Sequence, residues 1–298
     1  MRVLITGASG QLGNELRRLF ETGRAEIGPI PQQLRGAEVV YTDTPQLDIT
    51  DAKAVKIFVA DGGFDLIINC AALTNVDGCE SNEDLANRVN AVGAENLAEA
   101  AAQADIPIIH MSTDYVFSGT ESGERVESDL ATPLSAYGRS KLKGERLVAA
   151  ANPKHHIVRT AWLYGYVGNN FVKTMLRLAE NHDEVMVVDD QLGNPTSAND
   201  LAYEILKIAL SDDYGIWHVT NEGTCSWADF AEAVLEDADC TVNRCTSAEY
   251  KAVHPESAAR PAFSSLRNKH LGDTLGDQMR PWQDALSAYL KNLPTLEG

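Results

Sequence analysis

The 298-residue chain has no apolar run near the ~18–20 residues that a membrane-spanning helix needs, which excludes an integral helical membrane protein. It is poor in positive charge: 25 Lys and Arg stand against 43 Asp and Glu, and the net −18 repels nucleic acid and anionic membranes. An anionic ligand would therefore need a local basic pocket. Its five cysteines, Cys70, Cys79, Cys225, Cys240 and Cys245, show no CxxC spacing, so they read as reduced structural thiols rather than as a zinc site or a redox couple. The seven histidines form no HxxxH or HxxE pattern, and no catalytic metal is expected. Internal repeats and low-complexity linkers are missing too. The first residues enter a strand-like pattern at once, with no targeting segment, so a cytoplasmic protein with a small-molecule partner is expected.

What is present is alternation. Short apolar runs such as "RVLIT", "AEVVYT", "DLIINCAA" and "IPIIHMST" are separated by helical patterns, among them "LGNELRRLF", "AVKIFVA" and "DLANRVNAVGAENLAEAAAQ". Apolar runs covered on both faces and joined by amphipathic helices predict an α/β protein built on a Rossmann-type, doubly wound parallel sheet. Residues 1–162 are expected to form its dinucleotide-binding core, with later strands near 185–188 and 215–220 returning to it. Residues 163–184, 189–200 and 221–298 are expected to build a smaller, mostly C-terminal lobe for the substrate.

"VLITGASGQLGNEL" sets Gly7, Gly10 and Gly13 directly after a strand and at the start of a helix. A tight turn there brings backbone N–H groups close to a pyrophosphate, and the helix N-terminus adds about half a positive charge. The spacing is GxxGxxG. Gln11 and Leu12 belong to the same expected cofactor turn. At the end of the second apolar run, Asp43 can accept both hydroxyls of an adenosine ribose and would repel a 2′-phosphate, which favours NADH at least as much as NADPH. An insertion, "ETGRAEIGPIPQQLRG", lengthens its separation from the glycines. Asp48 and Ile49 are expected to flank the adenine. Ala71 and Ala72 present small side chains where the cofactor backbone would pass, and Thr74 completes the set.

In "SAYGRSKLKGE", Tyr137 and Lys141 stand four residues apart and so share a helix face. A phenol is a poor acid near neutrality, and a neighbouring ammonium would lower its pKa while holding ribose hydroxyls. In "IIHMSTDYVFSG" an apolar strand ends at Thr113, whose hydroxyl can donate to a substrate carbonyl at the carboxyl edge of the sheet. Arg260 offers a planar fork for a diphosphate, with Lys173 or Arg267 next in line. Asn170 and Gln191 are candidate hydrogen-bonders to the nucleotide.

Glycine turn, strand-end threonine and YxxxK follow the order of the extended short-chain dehydrogenase/reductase superfamily. "GASGQLGNEL", "LDITD", "NCAALTNVDGCE", "VNAVGAENLA", "STDYVFSG", "SAYGRSKLKGE", "VRTAWLYG", "GNNFVKTMLRLA", "DDQLGNPT" and "ARPAFSSLRN" together resemble the dTDP-4-dehydrorhamnose reductase family along nearly the whole chain. The resemblance implies that Thr113, Tyr137 and Lys141 are catalytic and that Asp114 and Trp162 contact a sugar nucleotide. It also implies reduction of a 4-keto sugar with NADH or NADPH, toward dTDP-L-rhamnose. A reductase of a related nucleotide 4-keto-6-deoxy sugar, and a non-catalytic subunit like the regulatory subunit of methionine adenosyltransferase, stay open. The oligomeric state stays open as well, with a homodimer as one assembly.

Overall fold

The computed structural model describes residues 1–296, with side chains as far as Leu293; the last two positions of the expected C-terminal lobe, 297 and 298, lie outside the described residues. Strand β1 (Arg2–Thr6) is apolar and buried beyond its first residue, as suits a strand covered on both faces. It pairs in parallel with β2 (Glu38–Thr42) on one side and β3 (Leu66–Asn69) on the other. β4 (Ile108–Thr113), β5 (His155–Thr160) and the strand Gly215–His218 continue the sheet beyond β3. The order from edge to edge is Gly215–His218, β5, β4, β3, β1, β2. The chain thus winds one way from β1 to β2 and the other way from β3, which opens a crevice at the carboxyl ends of β1 and β3.

Six helices separate these strands in the first half: α1 (Gln11–Thr22), α2 (Ala52–Gly62), α3 (Val76–Ser81), α4 (Glu83–Asn87), α5 (Ala94–Gln103) and α6 (Ala136–Ala151). The alternating residues of β1 divide the core. Val3 and Ile5 pack with Leu12, Leu16 and Leu19 of α1 and with Leu201 and Ile205 of the helix Ala198–Ile208. Leu4 packs on the other face with Val55 and Val59 of α2 and Leu97 and Ala101 of α5. Helices on both faces make the sheet doubly wound, as its unalternating strands predict. Between α4 and α5 the residues Arg88–Gly93 wind as a π-helix, and α6 lies so close to it that a Cβ on Gly144 would strike the Asn90 carbonyl.

A separate cluster of buried residues is built from the chain after β5, with Tyr164, Val172, Phe230, Trp282 and Tyr289 among its members. The strand Glu184–Val188 belongs to this side. It was expected to rejoin the main sheet; instead it pairs in parallel with Thr241–Cys245 in a two-stranded sheet. The position beside β5 is taken by Gly215–His218, and the strand's own alternation, with Met186 exposed, suits a sheet covered on one face only. Leu271 and Met279, within the expected second lobe, pack back into the β1–α1 core.

Candidate functional site

The glycine turn is built for close approach. Gly7 sits at φ 66°, and a Cβ there would meet the Ala71 nitrogen at 2.5 Å; at Gly13 it would meet Ala8 Cα at 2.6 Å. α1 begins at Gln11 with Gly10 as its N-cap and no side chain capping it. Its first N–H groups are therefore free to bind an anion. A cleft of about 620 Å³ opens over this turn, and Gly7, Gly10, Asp43, Asp48, Ile49, Ala71 and Ala72 all line it. Asp43 is held there by Ser9, whose backbone N and Oγ donate to Oδ1 at 3.2 and 3.0 Å. Hydrogen bonds from the backbone and hydroxyl of Thr50 hold the Asp48 carboxyl below the usual carboxylate range.

Other expected cofactor residues fall elsewhere. Leu12 is buried in the core against β1, so only its backbone faces the turn. Gln11 accepts a hydrogen bond from Asn170 at 3.2 Å. Thr74 is exposed and is not among the cleft residues. Cys70 and Arg88 do line the cleft, and no spacing rule pointed to either.

The catalytic candidates meet where β4 ends beside α6. Thr113 Oγ1 donates to Asp114 Oδ1 at 2.9 Å and accepts the backbone N–H of Tyr115 at 3.2 Å. Tyr137 lies in the first turn of α6, whose N-terminus Ser135 caps by accepting from Gly138 N. Thr113 is close enough to act on the Tyr137 hydroxyl, and the Tyr137 ring meets the edge of Tyr115 at 5.9 Å. Lys141 is 2% exposed, and its Nζ donates to the Met111 carbonyl at 2.6 Å.

The expected lowering of the Tyr137 pKa by Lys141 does not hold. Burial pushes the phenol above its ordinary value, with Asp114 and Cys79 acting the same way and Thr113 opposing. Lys141, one helical turn on, donates its Nζ to the Met111 carbonyl of β4 and is not among the groups acting on the phenol. Burial in turn brings Lys141 down to about 8, against the pull of Glu145 and Cys70. Asp114, also enclosed, is pushed up to about 7 by burial.

The substrate candidates divide. Trp162 adopts φ 45°, rare for a bulky side chain, and stacks on Trp227 with ring centroids 3.5 Å apart. Asn170 is a helix cap: its Oδ1 accepts from Lys173 N, and its Nδ2 donates to Gly165 O and Gln11 Oε1. Gln191 donates to Ser247 Oγ at 2.9 Å. Arg260 is clasped by Asp77, which also accepts the backbone N–H of Ala258 at 2.7 Å. Lys173 Nζ donates to Tyr166 O, and Arg267 is exposed. Tyr115, Asp77 and Trp227 carry no spacing signal of their own, although the first two lie within "STDYVFSG" and "NCAALTNVDGCE".

Among the described residues, no three His, Cys, Asp or Glu side chains gather as a metal site, and no helix is long and apolar enough to cross a membrane. The family model described as the RmlD substrate binding domain matches residues 1–295. The dTDP-4-dehydrorhamnose reductase of Aggregatibacter actinomycetemcomitans is 42% identical over 300 residues, covering 96% of this chain and 97% of the relative. The enzyme of that name from Escherichia coli K12 is 35% identical, covering 99% of each. Among solved structures, a dTDP-4-dehydrorhamnose reductase from Clostridium acetobutylicum superposes with a TM-score of 0.90 at 46% identity, covering 99% of this chain and all of the other. Its Bacillus anthracis counterpart, solved in complex with NADP, gives 0.89 at 37%, covering 98% and 99%.

Proposed function

The chain belongs to the dTDP-4-dehydrorhamnose reductase family, and we propose that it reduces dTDP-4-dehydro-L-rhamnose to dTDP-L-rhamnose with NADH or NADPH. The observation that carries this reading is the meeting of Thr113, at the carboxyl edge of the sheet, with the buried phenol of Tyr137 and the buried ammonium of Lys141 on α6. The uncapped start of α1 and the cradle at Gly7 that a Cβ would fill suit a dinucleotide pyrophosphate. Asp43 beside them suits ribose hydroxyls. When bound, the reduced dinucleotide supplies hydride for the C4 carbonyl.

The residues of the chain do the rest. Thr113, whose hydroxyl hydrogen goes to Asp114 in the free protein, turns it to the carbonyl oxygen and fixes its direction. Tyr137 keeps its proton at working pH, because burial holds the phenol above its ordinary value, and gives it to the alkoxide, a much stronger base. Lys141 anchors the ribose side from beneath the cleft. Trp162, stacked on Trp227, offers a flat wall for the sugar. The cluster built after β5 forms the lobe that receives the sugar nucleotide. A cytoplasmic setting fits the five free thiols. A non-catalytic subunit would have no use for a buried lysine and phenol set around a strand-end threonine.

Mixing the protein with the keto-sugar nucleotide and following cofactor oxidation by absorbance tests the reading. Oxidation that depends on the keto-sugar supports it, and a signal that stays flat with both NADH and NADPH overturns it.

A further inference from the structure

Lys141 is not alone on the buried face of α6. One helical turn on, Glu145 is 3% exposed. Its Oε1 accepts from Ser112 Oγ at 2.6 Å and from Arg159 Nε at 2.8 Å, and its Oε2 accepts from Arg159 Nη2 at 2.7 Å. Ser112 and Arg159 are register partners across β4 and β5, so one carboxylate ties the helix to two adjacent strands. Consecutive residues of β4, Met111 and Ser112, bond to Lys141 and Glu145, and the next, Thr113, ends the strand beside Tyr137. Residues four apart on a helix share a face, so the helix turns bearing the two proposed catalytic side chains are fixed to the strand end that bears the third.

The carboxylate also sets the local field. The groups acting on the Lys141 ammonium are Glu145 on α6 and Cys70 at the end of β3, and the ammonium in turn acts on His110 of β4. Burial raises the Cys70 thiol to about 12 and holds His110 well below the ordinary histidine value, so both are neutral near pH 7. Glu145, ion-paired with Arg159 of β5, is the member of this group that carries charge. A buried ammonium without an opposing charge loses its proton readily.

We infer that Glu145 is a positioning residue for Lys141: pinned by Ser112 and Arg159, it fixes α6 on β4 and supplies the negative charge that keeps the enclosed ammonium protonated. The inference rests on the role given to Lys141 above. Its signature is in pH dependence, because a carboxylate that only braced the fold would leave the titration of Lys141 in place.

Glu145→Gln keeps the volume and an acceptor oxygen and removes the charge. The alkaline limb of kcat/KM for the keto-sugar, and of NADH affinity followed by fluorescence, should move down by about one pH unit. On the acid side of that limb the rate should stay within about threefold of wild type. Glu145→Asp retains the charge and should leave the limb where it is. Glu145→Gln combined with Arg159→Met removes the guanidinium that the single variant would leave unpaired, so it serves if the single variant does not fold, and it should also move the limb down. A limb that stays in place in the glutamine variants, or a loss equal at every pH, overturns the inference. A moved NADH limb without turnover of the keto-sugar overturns the substrate reading and supports this one.

Discussion

Arg260 Nη2 lies 3.1 and 3.2 Å from the two carboxylate oxygens of Asp77, so the arginine best suited to a diphosphate is held by an acid distant in sequence. The same carboxylate takes the backbone N–H of Ala258, which fastens the loop that carries the arginine. Asp77 lies at the start of α3, after the strand that lines the cofactor cleft. Two effects can be separated. Arg260→Ala should weaken dTDP binding about ten- to a hundredfold, the usual worth of a charge-assisted phosphate contact, with little change in NADH affinity. Asp77→Asn should loosen the loop yet free the guanidinium, and so cost less than Arg260→Ala. Calorimetric titration with dTDP checks both; an Arg260 variant that binds as tightly as wild type moves the diphosphate contact elsewhere.

Asp43 gives a prediction about the cofactor. Its carboxylate is fixed over the glycine turn by two hydrogen bonds from Ser9, where it would meet a 2′-phosphate. NADH should be used at least as well as NADPH, and Asp43→Ala should shift the ratio of kcat/KM values toward NADPH. An unchanged ratio would remove Asp43 from cofactor selection.

Tyr137→Phe keeps the ring that packs on Tyr115 and removes the proton. Turnover of the keto-sugar should fall by a factor on the order of 10²–10⁴ while cofactor affinity survives. Wild-type turnover in this variant would assign the proton to another group.

Much of this site was legible as spacing. A separation of four positions puts Tyr137 and Lys141 on one face of α6, and an apolar run ending in Thr113 puts that hydroxyl at the sheet edge. Sequence spacing could not say which way a side chain turns within its face. Lys141 is turned toward β4, and burial, with Asp114 and Cys79 adding to it, raises the Tyr137 phenol, which reverses the expected pKa shift. Asn170 and Gln191 were chosen for their chemistry, and the fold spends that chemistry on a helix cap and on Ser247. The strand Glu184–Val188 has an apolar composition that fits either sheet; only its partner, Thr241–Cys245, distant in sequence, decides between them.

The enclosed lysine carries a stability consequence. Lys141 drops from 10.5 to about 8 in the fold, so the folded chain binds fewer protons than the unfolded chain between those values. Its contribution to stability is present above 10.5, declines as pH falls toward 8, and is unfavourable below that. Lys141→Met should therefore raise the thermal midpoint at pH 7, by roughly 2–6 °C, while turnover is lost. A lower midpoint in calorimetry would mean that the bond to Met111 outweighs the burial of charge.

In the proposed reaction hydride reaches C4 of the sugar and the new hydroxyl takes its proton from this site. Proton NMR of the product formed from dTDP-4-dehydro-L-rhamnose and deuterated NADH tests this directly. The expected product is dTDP-L-rhamnose with deuterium at C4, beside one equivalent of oxidised cofactor. A C4-epimeric sugar, or unchanged keto-sugar beside unoxidised NADH, would contradict it.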